Sequence, residues 1–222
     1  MGSTREEYPS DAPLSRNTWR IVVWIMAATL GAIALTIIAI LAQPDVRRET
    51  PLWSDEFDAG ANGWTFDPRD GSIARGELQL HPARPDAPAL AIHALPVPGF
   101  VVETQARAIA GSTDNGYGLV VGNGREQTAF LISGDGYFNV MRNAGAGWVD
   151  VQPWRPWPHV RRGNAANTLR VECRAVSCIF YVNEEVTAQV ETTRERNGIG
   201  LMTWRYAAEA LTVEFEYVRV WE

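Results

Sequence analysis

The sequence contains no lysine: all 20 of its basic residues are arginine, a compositional bias without functional content of its own. Other absences exclude more. The three histidines, His81, His93 and His159, stand apart in the chain, and the two cysteines lack the further Cys or His partners of a metal site; no zinc-type ligand set can be assembled from sequence neighbours. No Ser/His/Asp arrangement and no Gly-rich phosphate loop occurs. Positive charge is also short, at a net −6. Residues 1–50 balance at five acidic and five basic side chains, so the whole excess lies in 51–222, with 21 Asp and Glu against 15 Arg. Nucleic acids and anionic lipid surfaces need a basic patch, and both are excluded as partners of that region.

Long polar stretches give way once, at Ile21–Ala42, where 22 residues carry no charge. At a rise of about 1.5 Å per residue such a helix reaches roughly 33 Å, enough for a hydrocarbon core of about 30 Å. A cleaved secretory signal is the alternative. Its apolar core is about 7 to 15 residues behind a basic region, whereas here the leading segment sets Glu6, Glu7 and Asp11 against Arg5, Arg16 and Arg20. No cysteine follows to take a lipid anchor. The sequence predicts a cytoplasmic tail at 1–20, a single transmembrane helix at 21–42, a linker at 43–51 and a domain at 52–222. The surrounding arginines, three before the run and two after it (Arg47, Arg48), favour an N-terminus in the cytoplasm and a domain in the periplasm or outside the cell. Ala27, Gly31 and Leu35 form one ridge of the helix, with Ala28 and Ala32 beside it, a small-residue spacing that lets another helix approach.

Beyond the linker the chain changes to short segments of period two, punctuated by Gly, Asn and Asp. GELQLHP, FVVETQARAIA, YGLVVGN, TAFLIS, YFNVMRN, GWVDVQP, TLRVEC, CIFYVN, VTAQVE, GIGLMTW and LTVEFEYVRVW each read as a strand. Ser133-Gly134-Asp135-Gly136 is a strong hairpin turn. With no segment at helical spacing over three turns, the domain is predicted to be all-β, an antiparallel two-sheet jelly-roll sandwich. Cys173 and Cys178 end and begin two alternating strands, which places them across a hairpin at disulfide distance; two buried free thiols are the alternative. A bridge there implies an oxidising compartment.

NGYGLVVGN, FLISGDGYFNVMR, NTLRVECRAVSCIFYVNEEVTAQV, GIGLMTW and VEFEYVRVW together resemble the concanavalin A-like lectin/glucanase superfamily, in its laminin-G-like and 3-keto-disaccharide-hydrolase-like branch. The resemblance covers about Trp53 to Glu222 and implies a jelly roll. One departure is that Asn183 is followed by Glu184 and Glu185 where the family has Gly. The fold hosts lectins, glycosidases and interaction modules. Laminarinase-type relatives carry Glu-x-Asp-x-x-Glu on one strand; the similar string Asp55-Glu56-Phe57-Asp58 lacks the last Glu, and Glu214-Phe215-Glu216 reads as the solvated face of the final strand. The expectation is therefore a chain that is not an enzyme. Related sandwiches hold calcium with a loop Asp and backbone carbonyls. Asp114 with Asn115, Asp67 with Asp70, and Asp135 match in ligand type and are equally explained as turn residues, so no cofactor is expected, with calcium at Asp114 and Asn115 as the alternative.

The aromatic cluster GWVDVQPWRPWPHVRR supplies the contact candidates Trp148, Trp154, Arg155 and Trp157, which suit either a protein partner or stacking on sugar rings; capping of the core is the competing explanation. Pro153 to Pro158 cannot be a central strand. The leading expectation is a non-catalytic accessory subunit of a bacterial membrane complex, energy-transducing complexes included, with integral membrane subunits as partners. A membrane-tethered glycan-binding module or sensor is the alternative, and a glycoside-acting enzyme the minor one.

Overall fold

The computed structural model describes residues 16–41, 50–95, 99–206 and 208–222. The chain divides into two compact units, Met1–Arg48 and Glu49–Glu222. In the first, helix α1 runs Arg16–Leu41, with side chains described at Asn17 and from Trp19 to Gly31. Among the described residues no helix is long and apolar enough to cross a membrane, so the expected span gains no support from them. Ile21 to Gly31, the part of the apolar run with described side chains, covers about 16 Å at helical rise. The rest of the apolar run, with the side chain of Ala32, lies outside the described side chains, as do most of the tail 1–20 and the linker 43–51. Ala27, Ala28 and Gly31 are exposed.

The second unit is all strand, as expected. One antiparallel sheet (sheet A) contains β1 (Trp53–Asp55), β3 (Gly71–Ala74), β4 (Glu77–Leu80), β6 (Phe100–Ala110), β11 (Asn167–Arg174), β12 (Ser177–Val182), β13 (Glu185–Glu191) and β15 (Thr212–Trp221). Its order is β13-β12-β11-β6-β15-β4-β3, with β1 also on β15. The other (sheet B) contains β2 (Thr65–Phe66), β5 (Pro88–Ala94), β7 (Gly116–Gly122), β8 (Gln127–Ser133), β9 (Tyr137–Asn143), β10 (Trp148–Pro156) and β14 (Gly198–Trp204). Its order is β10-β9-β8-β7-β14-β5-β2. All pairings are antiparallel, and the sandwich core lies between the sheets. Phe130 of β8 meets Phe180 of β12 at 5.5 Å between ring centroids, and each such buried side chain contributes about 2 kcal/mol or more by leaving water.

The two sheets differ in a way that positions the site. Strands β6 and β11 alternate buried and half-buried, as expected where one face meets the core. In β7, β8 and β14 nearly every residue is buried, on both faces. Their sequences, GYGLVVG, QTAFLIS and GIGLMTW, are correspondingly apolar through their centres, with Thr128, Ser133 and Thr203 as buried polar residues toward their ends. The outer face of sheet B is thus covered by something other than sheet A: a second cluster of Val120, Ala129, Leu131, Met141 and Met202, roofed by Trp148, Trp154 and Trp204.

The cysteines form a disulfide, Cys173–Cys178, between register partners of the β11–β12 hairpin. The pairing Arg174↔Ser177 tightens the connection to Ala175-Val176, two residues fewer than the sequence segmentation suggested. Four strands were not anticipated, β1, β2, β3 and β5. Three of them are two to four residues long, and β5 carries a proline at its start, so neither periodicity nor length singles them out.

Candidate functional site

At one end of sheet B the hairpin turn Ser133 to Tyr137 forms the floor of a cleft. The spacing Ser-Gly-Asp-Gly produces the turn for a local reason. Gly136 adopts φ 100°, a region open to glycine, and its N–H donates to the carbonyl of Ser133 at 3.0 Å. The hydroxyl of Ser133 donates to Asp135 at 2.5 Å. Two neighbouring segments hold the turn from outside. Asp135 N–H donates to Thr113 O at 2.9 Å, and Trp157 N–H and Gly163 N–H donate to Gly136 O and Gly134 O, each at 2.8 Å.

The cleft that results has a volume of about 380 Å³ and is lined by Asp114, Ser133, Asp135, Tyr137, Trp154 and Tyr206, within the size range of small-ligand sites. Its wall continues into a row of rings over the outer face of sheet B. Trp154 meets Tyr206 edge-on at 6.2 Å, Tyr206 stacks on Trp204 at 5.8 Å and 15°, and Trp204 meets Trp148 edge-on at 6.5 Å. Such pairs add about 0.5–1.5 kcal/mol each beyond their burial, which fixes the rings in place before any ligand arrives. Gly116 makes room for one of them, since a Cβ there would sit 3.2 Å from the Trp154 ring. Burial pushes the Tyr206 phenol up to about 12, with Trp154 opposing and the charge of Asp150 adding.

The sequence candidates separate accordingly. Trp154 lines the cleft and Trp148 extends its wall. Trp157 does neither: it packs on the main core, edge-on to Phe138 at 6.1 Å, and the core-capping explanation holds for it. Arg155 is exposed and absent from the lining, because strand alternation turns it to the face opposite Trp154. The segment around it is a strand after all, β10, and its prolines are accommodated because β10 is the edge of its sheet. Tyr206, Trp204 and Tyr137 were missed. The available signal was the alternation Trp204-Arg205-Tyr206 immediately after an apolar strand.

Asp114 and Asn115 part company. Asp114 reaches the cleft, whereas Asn115 is buried, with its NH₂ on Ser112 O at 2.9 Å and its carbonyl on Tyr206 N–H at 2.8 Å. Those bonds occupy Asn115 within the fold. Among the described residues no group of three or more His, Cys, Asp or Glu is placed to hold a metal ion.

Carboxylates elsewhere serve the fold. Asp55 accepts from Phe57 N–H at 2.8 Å and from the Trp64 indole at 3.1 Å. Glu214 corrects the expectation of a solvated face: it is 4% exposed. It lies beneath Arg107, which donates to it at 2.9 Å, and Gln79, at 2.9 Å. Burial pushes against its charged form, yet the Arg107 bond prevails and holds it below the usual range. Glu77 beside it is raised by burial and by Glu214. The hollow over this cluster is about 120 Å³, and the side chains satisfy one another within it.

No protein-family model matches the sequence, and neither does any curated protein. Solved structures do match the fold. A xylan β-1,4-xylosidase from Bacillus halodurans aligns with a TM-score of 0.61 and 16% identity over 76% of this chain, which spans 39% of that protein. A β-glucanase from Bacillus licheniformis aligns at 0.57 and 11% identity, covering 77% of this chain and 97% of that one. A carbohydrate-binding module from Bacillus subtilis aligns at 0.56 and 12% identity, covering 72% and 96%. The domain therefore has the concanavalin A-like jelly-roll fold. Laminarinase catalytic domains and a transglycosylase are further matches. The expectation that the chain is not an enzyme is overturned by this set, which consists mostly of glycoside-acting enzymes; what is shared at these identities is the fold.

Proposed function

We propose that this chain engages a glycan in the cleft beside Trp154 and Tyr206, as a glycan-binding or glycoside-hydrolase-like jelly roll. The observation that carries the proposal is the cleft itself. Preformed aromatic faces line it together with Asp114, Asp135 and Ser133, the combination of flat apolar surface and few polar groups that suits a sugar ring. Glycoside cleavage requires one carboxyl to protonate the leaving oxygen while a second assists water or attacks the anomeric carbon. Asp114 and Asp135 are the carboxylates that line this cleft. The fold's occurrence in a xylosidase and a β-glucanase supports hydrolysis, and its occurrence in a carbohydrate-binding module supports capture without turnover.

The experiment incubates the full chain, in mild detergent, with a panel of neutral and amine-bearing polysaccharides. It reads retention on the polysaccharide and release of reducing ends. Glycan engagement predicts retention by at least one polysaccharide that weakens about 30-fold in Trp154→Ala, as expected for loss of a central aromatic anchor. Release of reducing ends that disappears in Asp135→Asn assigns hydrolysis; retention without release assigns capture. Retention by none of them defeats the proposal.

The same proposal tethers the domain on the outer side of a bacterial cytoplasmic membrane through Ile21–Ala42, with the N-terminus in the cytoplasm. Its support is the uncharged length of that run and the disulfide, which persists where conditions are oxidising. Extraction of membranes with alkaline carbonate leaves such a chain in the pellet, and protease added outside spheroplasts removes the domain. Glycan engagement needs no integral membrane partner, so the accessory-subunit role has no observation in its favour.

A further inference from the structure

The cleft also has a charge, and it is of one sign. Among the described residues, Asp114 and Asp135 are the charged side chains of its lining, and no basic residue lines it. Among the described residues neither carboxylate takes part in an ion pair; the bond that Asp135 receives comes from the neutral hydroxyl of Ser133. Arg162 packs against Gly136, where its Nε would lie 2.7 Å from a Cβ, and it stays outside the lining. The domain surrounding the cleft carries the whole net charge of −6, which raises the local concentration of cations and repels anions.

Resting on the glycan reading above, we infer that the cleft selects sugars bearing a protonated amino group and rejects uronates. An ammonium substituent finds two kinds of complement here. Carboxylates accept its N–H groups in charge-assisted bonds, and the faces of Trp154, Tyr206 and Tyr137 attract a cation. A uronate would bring a third carboxylate beside two that form no ion pair among the described residues, in a cleft where like charges repel. A neutral sugar stacks without either effect. One charge-assisted bond gained over a neutral one corresponds to about tenfold in affinity.

The test titrates the full chain in mild detergent, by calorimetry, with oligomers of β-1,4-linked glucosamine, with the same oligomers N-acetylated, and with oligogalacturonate. The expected order is glucosamine tightest, by about tenfold or more over the N-acetylated form, and galacturonate weakest. The preference for the amine shrinks as salt is added. In the double variant Asp114→Asn with Asp135→Asn the ratio between the two glucosamine forms falls to about threefold or less. Equal affinity for the amine and the uronate, or a double variant that keeps the full preference, overturns charge selection while glycan engagement stands. Binding of none of the three overturns charge selection, while glycan engagement is decided by the polysaccharide panel.

Discussion

The side-chain carbonyl of Asn115 accepts the backbone N–H of Tyr206 at 2.8 Å, across 91 positions of sequence. Asn115 is 1% exposed and its NH₂ is held by Ser112, so the residue acts as a strut between the turn that carries Asp114 and the strand end that carries Tyr206. Asn115→Ala leaves the half-buried Tyr206 N–H without its acceptor and removes one of the two hydrogen bonds to Ser112 O, which costs about 1–3 kcal/mol. Urea unfolding followed by tryptophan fluorescence is expected to show that loss, and glycan affinity is expected to fall with it because Tyr206 is no longer held. Unchanged stability would mean that Tyr206 is positioned by its ring contacts alone.

The hairpin between β12 and β13 pairs Val182 with Glu185, leaving a two-residue turn in which Asn183 and Glu184 adopt φ of 51° and 74°. Asparagine tolerates that region, whereas a glutamate there costs roughly 1–2 kcal/mol. Replacing Glu184 by Gly should stabilise the domain by about 1 kcal/mol, part of the relief being returned as unfolded-state entropy. Asn183→Gly has the opposite outcome. It removes the acceptor for Thr168 N–H at 3.0 Å and the donor to His159 O at 2.7 Å. Thermal melts of the two variants moving in the same direction would contradict this account of the turn.

The disulfide closes a short loop, with a sequence separation of 5. The chain-entropy relation then gives about 2 kcal/mol of stabilisation. A melting temperature that is indifferent to reductant, once thiol titration confirms two free cysteines, would show that the buried sulfurs contribute through packing instead.

Burial pushes the Tyr117 phenol up to about 12, with Asn167 opposing. The folded chain therefore keeps this group neutral while the unfolded chain ionises it above about pH 10. Stability is complete below pH 10 and is lost between about pH 10 and 12, by about 2–3 kcal/mol in total. Tyr206 shifts in the same direction and adds less because it is partly exposed. Tyr117→Phe should flatten this alkaline decline while leaving stability at neutral pH close to that of the native chain. An identical decline in the variant would assign the loss to other groups.

Much of the sandwich could be read from alternation. Strands such as β6 and β11 face the core on one side, and their period of two is visible in FVVETQARAIA and NTLRVECR. The cleft was half legible. Trp154 and Trp148 stand out because large aromatics gather beside prolines, yet sequence proximity made Arg155 and Trp157 look like their companions. Strand alternation sends Arg155 to the other face, and the turn after β10 tucks Trp157 against Phe138. Tyr206 belongs to the site through Trp154 and Asn115, 52 and 91 positions away, and Asp135 through its bond to Thr113, 22 positions away, which no local pattern records. Glu214 misled for the same reason, since its cover, Arg107 and Gln79, arrives from other strands.

Beneath the aromatic row, Gly118 lies in the middle of β7, and a Cβ on it would come within 2.0 Å of the Phe130 carbonyl on β8. Even one methyl group there would force the two strands apart. The central bed of this sheet is therefore closed to variation, and a lineage that changed its ligand would have to do so through the rim, by altering the turns and strand ends that carry Asp114, Asp135 and Tyr206.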